Sequence, residues 1–295
     1  NLKMTRQIKN IIAITAFLIC IGLINFAGQN IDIQIRGINA FTFILIVAVL
    51  LQIIFFIPSF LLKTEKYYDL VGSLTYVTTV SLAYFAVENK TMIDSIIYFY
   101  VMVWASRLGI YLFRRVRNDG KDVRFEKAKR HFFWFLQYWM GQALWVTLTA
   151  CAAIIAILSP EDDTLPVLAI FGMALWLSGF TIESISDYQK RAFRKENNPS
   201  ESFIHTGLWA RSRHPNYFGE ITLWTGIAVI ALNTLTGIEY ITLISPVFVY
   251  ILLTRMSGVN LLERIADERY GHLEEYQQYK RNTPVLVPKL SKDKI

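Results

Sequence analysis

Between Ser184 and Glu220 the chain reads SISDYQKRAFRKENNPSESFIHTGLWARSRHPNYFGE, a crowd of arginines, carboxylates and amides with apolar runs on both sides. Asp187, Arg191 and Arg194 fall at i, i+4 and i+7, so a helix through them carries one acid and two bases on one stripe, with Glu183 a turn earlier. Asn197-Asn198-Pro199 stops that helix, because proline disfavours helix in the residue before it. His205, Gly207 and Trp209 follow in a loop. Pro215 suits a first helical turn, so Arg213, His214, Asn216, Tyr217 and Glu220 collect where free N–H groups can hold an anion. Glu220 lies just inside an apolar run, where a carboxylate is costly unless partnered. Such a set suits a dinucleotide: guanidinium for phosphates, carboxylate for ribose hydroxyls, amide for a carboxamide. No GxGxxG follows a strand, so a Rossmann domain is excluded, and the surplus of arginine favours NADPH through its 2′-phosphate. The competing reading is an interfacial loop pinned by salt bridges.

Two earlier regions also gather polar groups. KTEKYYDLVGSLTY, from Lys63 to Tyr76, places Glu65 and Asp69 four residues apart at the mouth of an apolar run, with Tyr68, Ser73 and Tyr76 nearby. Asp69, which leads into the helix, reads as a substrate-facing acid, and an interfacial aromatic and lysine belt is the alternative. In WASRLGIYLFRRVRNDGKD, Trp104, Arg107 and Tyr111 form one helical stripe at i, i+3 and i+7. Arg107 suits a phosphate or a ring face, with snorkelling to headgroups as the alternative, whereas Arg114, Arg115 and Arg117 read as topology-setting charge. Asn118-Asp119-Gly120 is a turn signal. Arg255 ends the last apolar run, and the tail beyond it has an amphipathic period that turns Glu263 inward in one register.

These groups need a scaffold, and composition says which. The chain has 295 residues, 54% hydrophobic and only 18% charged, with mean hydropathy +0.36. A soluble domain carries about 25% charge. Eight apolar stretches fall at residues 10–27, 39–62, 69–87, 92–113, 138–158, 165–185, 217–235 and 238–256. Each is near the roughly 20 residues a bilayer-spanning helix needs. The last two are parted only by Thr236-Gly237, so they form a tight hairpin. The expectation is an all-α, polytopic bundle of seven or eight spans with cytoplasmic cofactor-binding loops. It is one domain over residues 1–295: two N-terminal spans (10–62), a core (63–256) and a cytoplasmic tail (257–295). With these spans, all but Arg36 and Lys90 of the 30 lysines and arginines fall on one side, while Asp32, Glu88, Asp94, Glu161-Asp162-Asp163 and Glu239 fall on the other. The positive-inside rule then makes both termini cytoplasmic and explains the net charge of +7 without a nucleic-acid partner. The first run lacks a small-residue cleavage site and reads as a span, not a secretory signal. Cys20 and Cys151 sit mid-span as packing residues, and no metal-binding spacing occurs.

GLWARSRHPNYFGE, a hydrophobic hairpin and a tail with Tyr276, Tyr279 and Pro288 together resemble the steroid 5α-reductase superfamily, in particular its bacterial members that begin with KTEKYYDLVGSLTY. The resemblance covers about Lys63 to Pro288, and the run from Arg213 to Glu220 is its most specific part. It implies an NADPH-dependent membrane reductase that saturates a C=C bond of a steroid- or enone-like lipid, with the membrane as setting. It assigns Asp187 and Arg194 to the adenosine and phosphate groups, Asn216 and Glu220 to the nicotinamide half, and Arg107, Tyr111 and Arg255 to further cofactor contacts. Arg191, Arg213, His214, Tyr217 and Glu263 join that cofactor-binding set. Asp69 falls near the family's catalytic glutamate, and Trp104 stands where the family has its catalytic tyrosine. Tryptophan has no acidic hydroxyl to polarise a carbonyl, so Tyr68 and Tyr76 are the candidate donors. The first span is additional to the usual seven. The same RHPNYFG region also resembles isoprenylcysteine carboxyl methyltransferases, which makes an S-adenosylmethionine-dependent membrane methyltransferase the second reading. A lipid-binding or transport protein is the third, against which the spans lack paired broken helices.

Overall fold

The computed structural model describes residues 2–119, 125–159, 165–198, 201–256 and 258–290. Gly120, Lys121, Arg124, Glu161-Asp162-Asp163 and Pro199 lie outside them, as do the side chains of Arg115 and Arg117. Ten α-helices are found among the described residues: α1 Leu2–Ile24, α2 Ala40–Leu61, α3 Tyr68–Ala86, α4 Met92–Asp119, α5 Phe132–Leu158, α6 Val167–Glu196, α7 Pro215–Ala231, α8 Ile244–Ile251, α9 Val259–Tyr270 and α10 Glu274–Asn282. The only strands there, β1 Gln34–Ile35 and β2 Ile38–Asn39, make a minimal antiparallel hairpin before α2. Asn39 caps α2 by accepting the Thr42 N–H at 3.1 Å.

Among the described residues, six stretches are long and apolar enough to cross a membrane: Thr5–Gly28, Ala40–Leu61, Met92–Arg114, Phe132–Leu158, Val167–Glu196 and Gly237–Tyr270. The chain is a helical integral membrane protein. Of the eight stretches expected, those containing α3 and α7 are not among the six. The hydropathy boundaries shift where polar residues join a helix: α5 begins at Phe132, six residues before the expected Tyr138, and α6 runs to Glu196 as its charge spacing required. The eighth stretch is a correction. It is not one α-helix but a 3₁₀ segment, Gly237–Leu243, then α8, then a π turn, Leu252–Met256. The start has a local cause, because Thr236 and Glu239 form a reciprocal capping box.

Contacts within the chain gather into two compact units, Asn1–Ala169 with Ile230–Ser245, and Ile170–Val229 with Pro246–Ile295. In the first unit α5 is the central post. It is apolar on all sides, and α1, α2 and α3 pack against it. Phe56, Tyr68, Phe125, Phe135 and Trp139 form an aromatic cluster in which Tyr68 meets Trp139 edge-on at 5.3 Å. Helices α3 and α4 run antiparallel in close contact, fixed where the Ser73 hydroxyl donates to Ala105 O at 2.5 Å and Gly109 leaves room for it.

In the second unit α6 and α7 approach backbone to backbone. A Cβ on Gly219 would stand 2.6 Å from both Gly179 O and the Glu183 nitrogen. Close approach through glycine is how helices gain packing energy where lipid offers no hydrophobic drive. Gly219→Ala should therefore lower stability by about 1–3 kcal/mol, since backbone must move to admit the methyl. Gly22→Ala on α1 meets nothing within 4 Å and should leave the melting temperature in detergent unchanged or raised. Equal melting temperatures for Gly219→Ala and wild type would refute this packing.

Candidate functional site

The last turns of α6 form a wall on which the following loop is laid. Gln189 Oε1 accepts the Leu208 N–H at 3.0 Å, and the Trp209 indole donates to Ser186 O at 3.1 Å. The Lys190 ammonium lies 4.8 Å from the Trp209 ring, a cation–π contact. The Tyr279 hydroxyl of α10 donates to Trp209 O at 2.7 Å, so the aromatic is held from both sides. Gly207 adopts φ +63°, the left-handed turn that lets the loop reach this wall.

Four polar residues lie on the turns that flank the α6–α7 crossing. Glu183 and Asp187 on α6 are 2% and 6% exposed, and Glu220 on α7 is 7% exposed. Asn216, in the first turn of α7, donates through Nδ2 to Asp187 Oδ1 at 3.4 Å. The expected stripe on α6 is thus split by depth: Asp187 is buried, while Arg191 and Arg194, nearer the helix end, are exposed. Arg255, on the π turn after α8, is also exposed.

A second group forms next to this one. Glu263 on α9 pairs with Arg213 at 3.0 Å and with the His214 ring at 2.8 Å, and Lys280 of α10 lies 4.0 Å away. Lys280 also bridges Asp267 at 2.5 Å, and the Tyr276 hydroxyl donates to the same carboxylate at 3.0 Å. His214 stacks on Tyr217, with centroids 5.6 Å apart. Arg213, His214 and Glu263 therefore bond to one another. Lys280 and Asp267 escaped the sequence reading. Their signal was there: Asp267 is four residues after Glu263, and Lys280 four after Tyr276. Burial raises the phenol pKa values of Tyr276 and Tyr279, with Asp267 adding to the effect at Tyr276.

In the first unit Trp104 is buried and meets Tyr76 of α3 edge-on at 5.0 Å. Tyr76 lies seven residues after Asp69, on the same face of α3. Arg107 and Tyr111 continue the Trp104 stripe along α4, both half-buried. Tyr68 is used structurally: its ring fills the aromatic cluster and its hydroxyl donates to Tyr138 O at 2.9 Å. Glu65 is buried in an ion pair with Lys129 at 2.6 Å and precedes α3, so it does not share the helical face of Asp69. Among the described residues no cluster of His, Cys, Asp and Glu could hold a metal.

The family described as "Protein of unknown function (DUF1295)" matches residues 55–283. Among curated proteins, 3-oxo-5-alpha-steroid 4-dehydrogenase 1 of Mus musculus is 30% identical over 117 residues, 40% of this chain and 40% of its own. The Rattus norvegicus protein of that name gives the same figures, and that of Homo sapiens is 25% identical over 119 residues. The match thus spans about 40% of the length of these relatives. No solved structure matches the chain.

Burial pushes the His214 imidazole below its ordinary pKa; the hydrogen bond and charge of Glu263 oppose that shift, and Lys190 and Arg213 add to it. The unfolded imidazole, titrating near about 6.5, then takes up its proton before the folded one does. Stability is fully present above that pH and falls as pH drops through the folded value. Melting temperature should decline as pH falls below about 6.5, and less steeply in His214→Gln. Identical pH profiles for the two proteins would show that His214 is not the group responsible.

Proposed function

The chain belongs to the DUF1295 family, and on that footing we propose that it is a membrane reductase that uses NADPH to saturate a C=C bond of a hydrophobic, steroid- or enone-like lipid. The observation that carries this reading is the α6–α7 crossing, where Asp187 and Asn216 meet beside buried Glu183 and Glu220. The printed names of the curated relatives point to the same oxidoreductase class.

The donor set suits the cofactor. Arg191 and Arg194 are exposed, so their guanidinium groups are accessible to phosphates. Asn216 has a second amide hydrogen and a carbonyl oxygen beyond its bond to Asp187, as a carboxamide partner requires. Asp187 and Glu220 offer acceptors for hydroxyl groups, and the family resemblance alone adds Arg107, Tyr111 and Arg255 to the cofactor-binding set. Bound NADPH would supply a hydride to one alkene carbon. The chain's own part is to bind, orient and protonate. Asp69 and Tyr76, on one face of α3, are the groups assigned to the substrate: the Tyr76 hydroxyl as hydrogen-bond donor to the activating carbonyl, the Asp69 carboxyl as the nearby acid. Tyr76 is preferred to Tyr68 because it packs against Trp104, the residue at the family's catalytic position. The charge asymmetry supports a reading in which both termini face the cytoplasm, here the cytoplasmic face of a bacterial inner membrane.

Ligand-induced melting shifts test the cofactor. NADPH at 100 times its dissociation constant should add about 2.7 kcal/mol of stability, and Arg194→Ala should remove the shift. A shift with S-adenosylmethionine alone would transfer the chain to the methyltransferase reading, and no shift with either would favour lipid binding or transport. Asp69→Asn and Tyr76→Phe should each keep the NADPH shift and lower turnover of an enone lipid about 100-fold or more. Unchanged turnover in either variant would remove that residue from the mechanism.

A further inference from the structure

Beyond α10 the chain doubles back along the segment that leads into α7. The Arg213 N–H donates to Pro284 O at 2.9 Å, the His214 N–H to Val285 O at 3.1 Å, and the Lys289 N–H to Arg211 O at 3.0 Å. The Ser212 side chain is fully buried between the two stretches, donating to Leu286 O at 2.7 Å while its oxygen lies 3.2 Å from the His214 nitrogen. From the other side Glu263 holds the Arg213 and His214 side chains, and Arg213 also donates to Lys280 O at 2.6 Å.

Backbone groups of Arg211, Arg213 and His214 and the side chains of Ser212, Arg213 and His214 are thus bonded to the tail. That matters because these residues lead directly into α7, two residues before Asn216 and about two turns before Glu220. Moving the entry by a fraction of a turn rotates both off the α6 face. The pairing also lies at the edge of the family match, which ends at residue 283, so most of the returning segment is outside it.

We propose that residues 283–290 together with Glu263 form a strap that fixes the start of α7, making Glu263 a positioning residue for Asn216 and Glu220 and not a ligand of the cofactor. The consequence for binding rests on the cofactor reading given above, but the strap itself does not. Its chemistry explains why Arg213 and His214 are both turned toward Glu263. Glu263 neutralises Arg213 and accepts from His214 in a half-buried position, where an unmatched charge is costly.

Amide hydrogen exchange on the ligand-free protein in detergent reads the strap directly. Glu263→Gln and Ser212→Ala should each speed exchange at the Arg213, His214 and Lys289 amides by about tenfold, with α5 amides unchanged. Unchanged exchange at all three amides in both variants overturns the proposal. Should Glu263→Gln fail to fold, Ser212→Ala carries the same test, because it removes one hydroxyl and no charge. NADPH titration then separates positioning from contact. Glu263→Gln should weaken NADPH about tenfold in the wild-type background, and less than about twofold where Arg213→Met and His214→Asn are already present. Equal weakening in both backgrounds would make Glu263 a direct ligand and sink the positioning role. A wild type that ignores NADPH but shows the exchange changes would refute the cofactor reading and leave the strap standing.

Discussion

Helices α6 and α7 touch through glycine at Gly179 and Gly219, and again seven residues along each helix, at Gly172 and Gly226. Apolar side chains gain little by leaving lipid for one another, so association must come from dispersion between closely fitted surfaces and from satisfied polar groups. The two glycine contacts bring backbones within a distance no side chain permits. Glu183, Asp187, Asn216 and Glu220 all lie within about a turn or two of the first contact. Their burial follows from it: with larger residues at the crossing the helices would part and these groups would face hydrocarbon, which charged groups avoid. Packing and chemistry are here the same constraint.

The arginines divide accordingly. Arg213 is enclosed, its guanidinium bonded to Glu263 and to Lys280 O. Taking such a group for a ligand would mean breaking a partly desolvated ion pair and leaving a carboxylate behind, a loss on the scale of several kcal/mol. Arg191 and Arg194 are exposed at the end of α6, and Arg191 lies 5.8 Å from the Tyr188 ring. A motif dense in basic residues therefore contains an enclosed arginine that stiffens the loop and exposed arginines at the end of α6. Depth along the helix separates them.

Much of this arrangement could be read from the chain. The 3.6-residue period carried α6 past the membrane to Glu196, and Pro215 marked the first turn of α7. The Asp187–Asn216 hydrogen bond could not be read there, since the resemblance assigns the two residues to different halves of the cofactor. What hydropathy could not supply was conformation inside an apolar run: Gly237–Met256 lies in a stretch apolar enough to span, yet it is a 3₁₀ segment, a short helix and a π turn. Its one local signal was Thr236-Gly237-Ile238-Glu239, a capping-box pattern that starts a new element instead of continuing an old one. The Lys280–Asp267 bridge and the return of residues 283–290 are long-range, and no spacing rule reaches that far.

Helix α3 shows why polarity, not length, decides what a helix may face. It carries Ser73, Thr75, Tyr76, Thr78 and Thr79 within two turns, and it is not among the six stretches apolar enough to span. Its hydroxyls are spent inward: Thr75 donates to Val71 O at 2.7 Å and accepts from Gln52 at 2.8 Å, and Thr79 donates to Thr75 O at 2.8 Å. A helix so loaded belongs between neighbours, and the Ser73–Ala105 bond holds it against α4 at the level of Trp104. On the reading proposed here, the reductase family's tyrosine hydroxyl on α4 has been exchanged for a tryptophan, while a tyrosine stands beside it on α3 with ring centroids 5.0 Å apart. Polarising a carbonyl requires an acidic hydroxyl at the right depth of the bundle, and the chemistry is indifferent to which helix carries it.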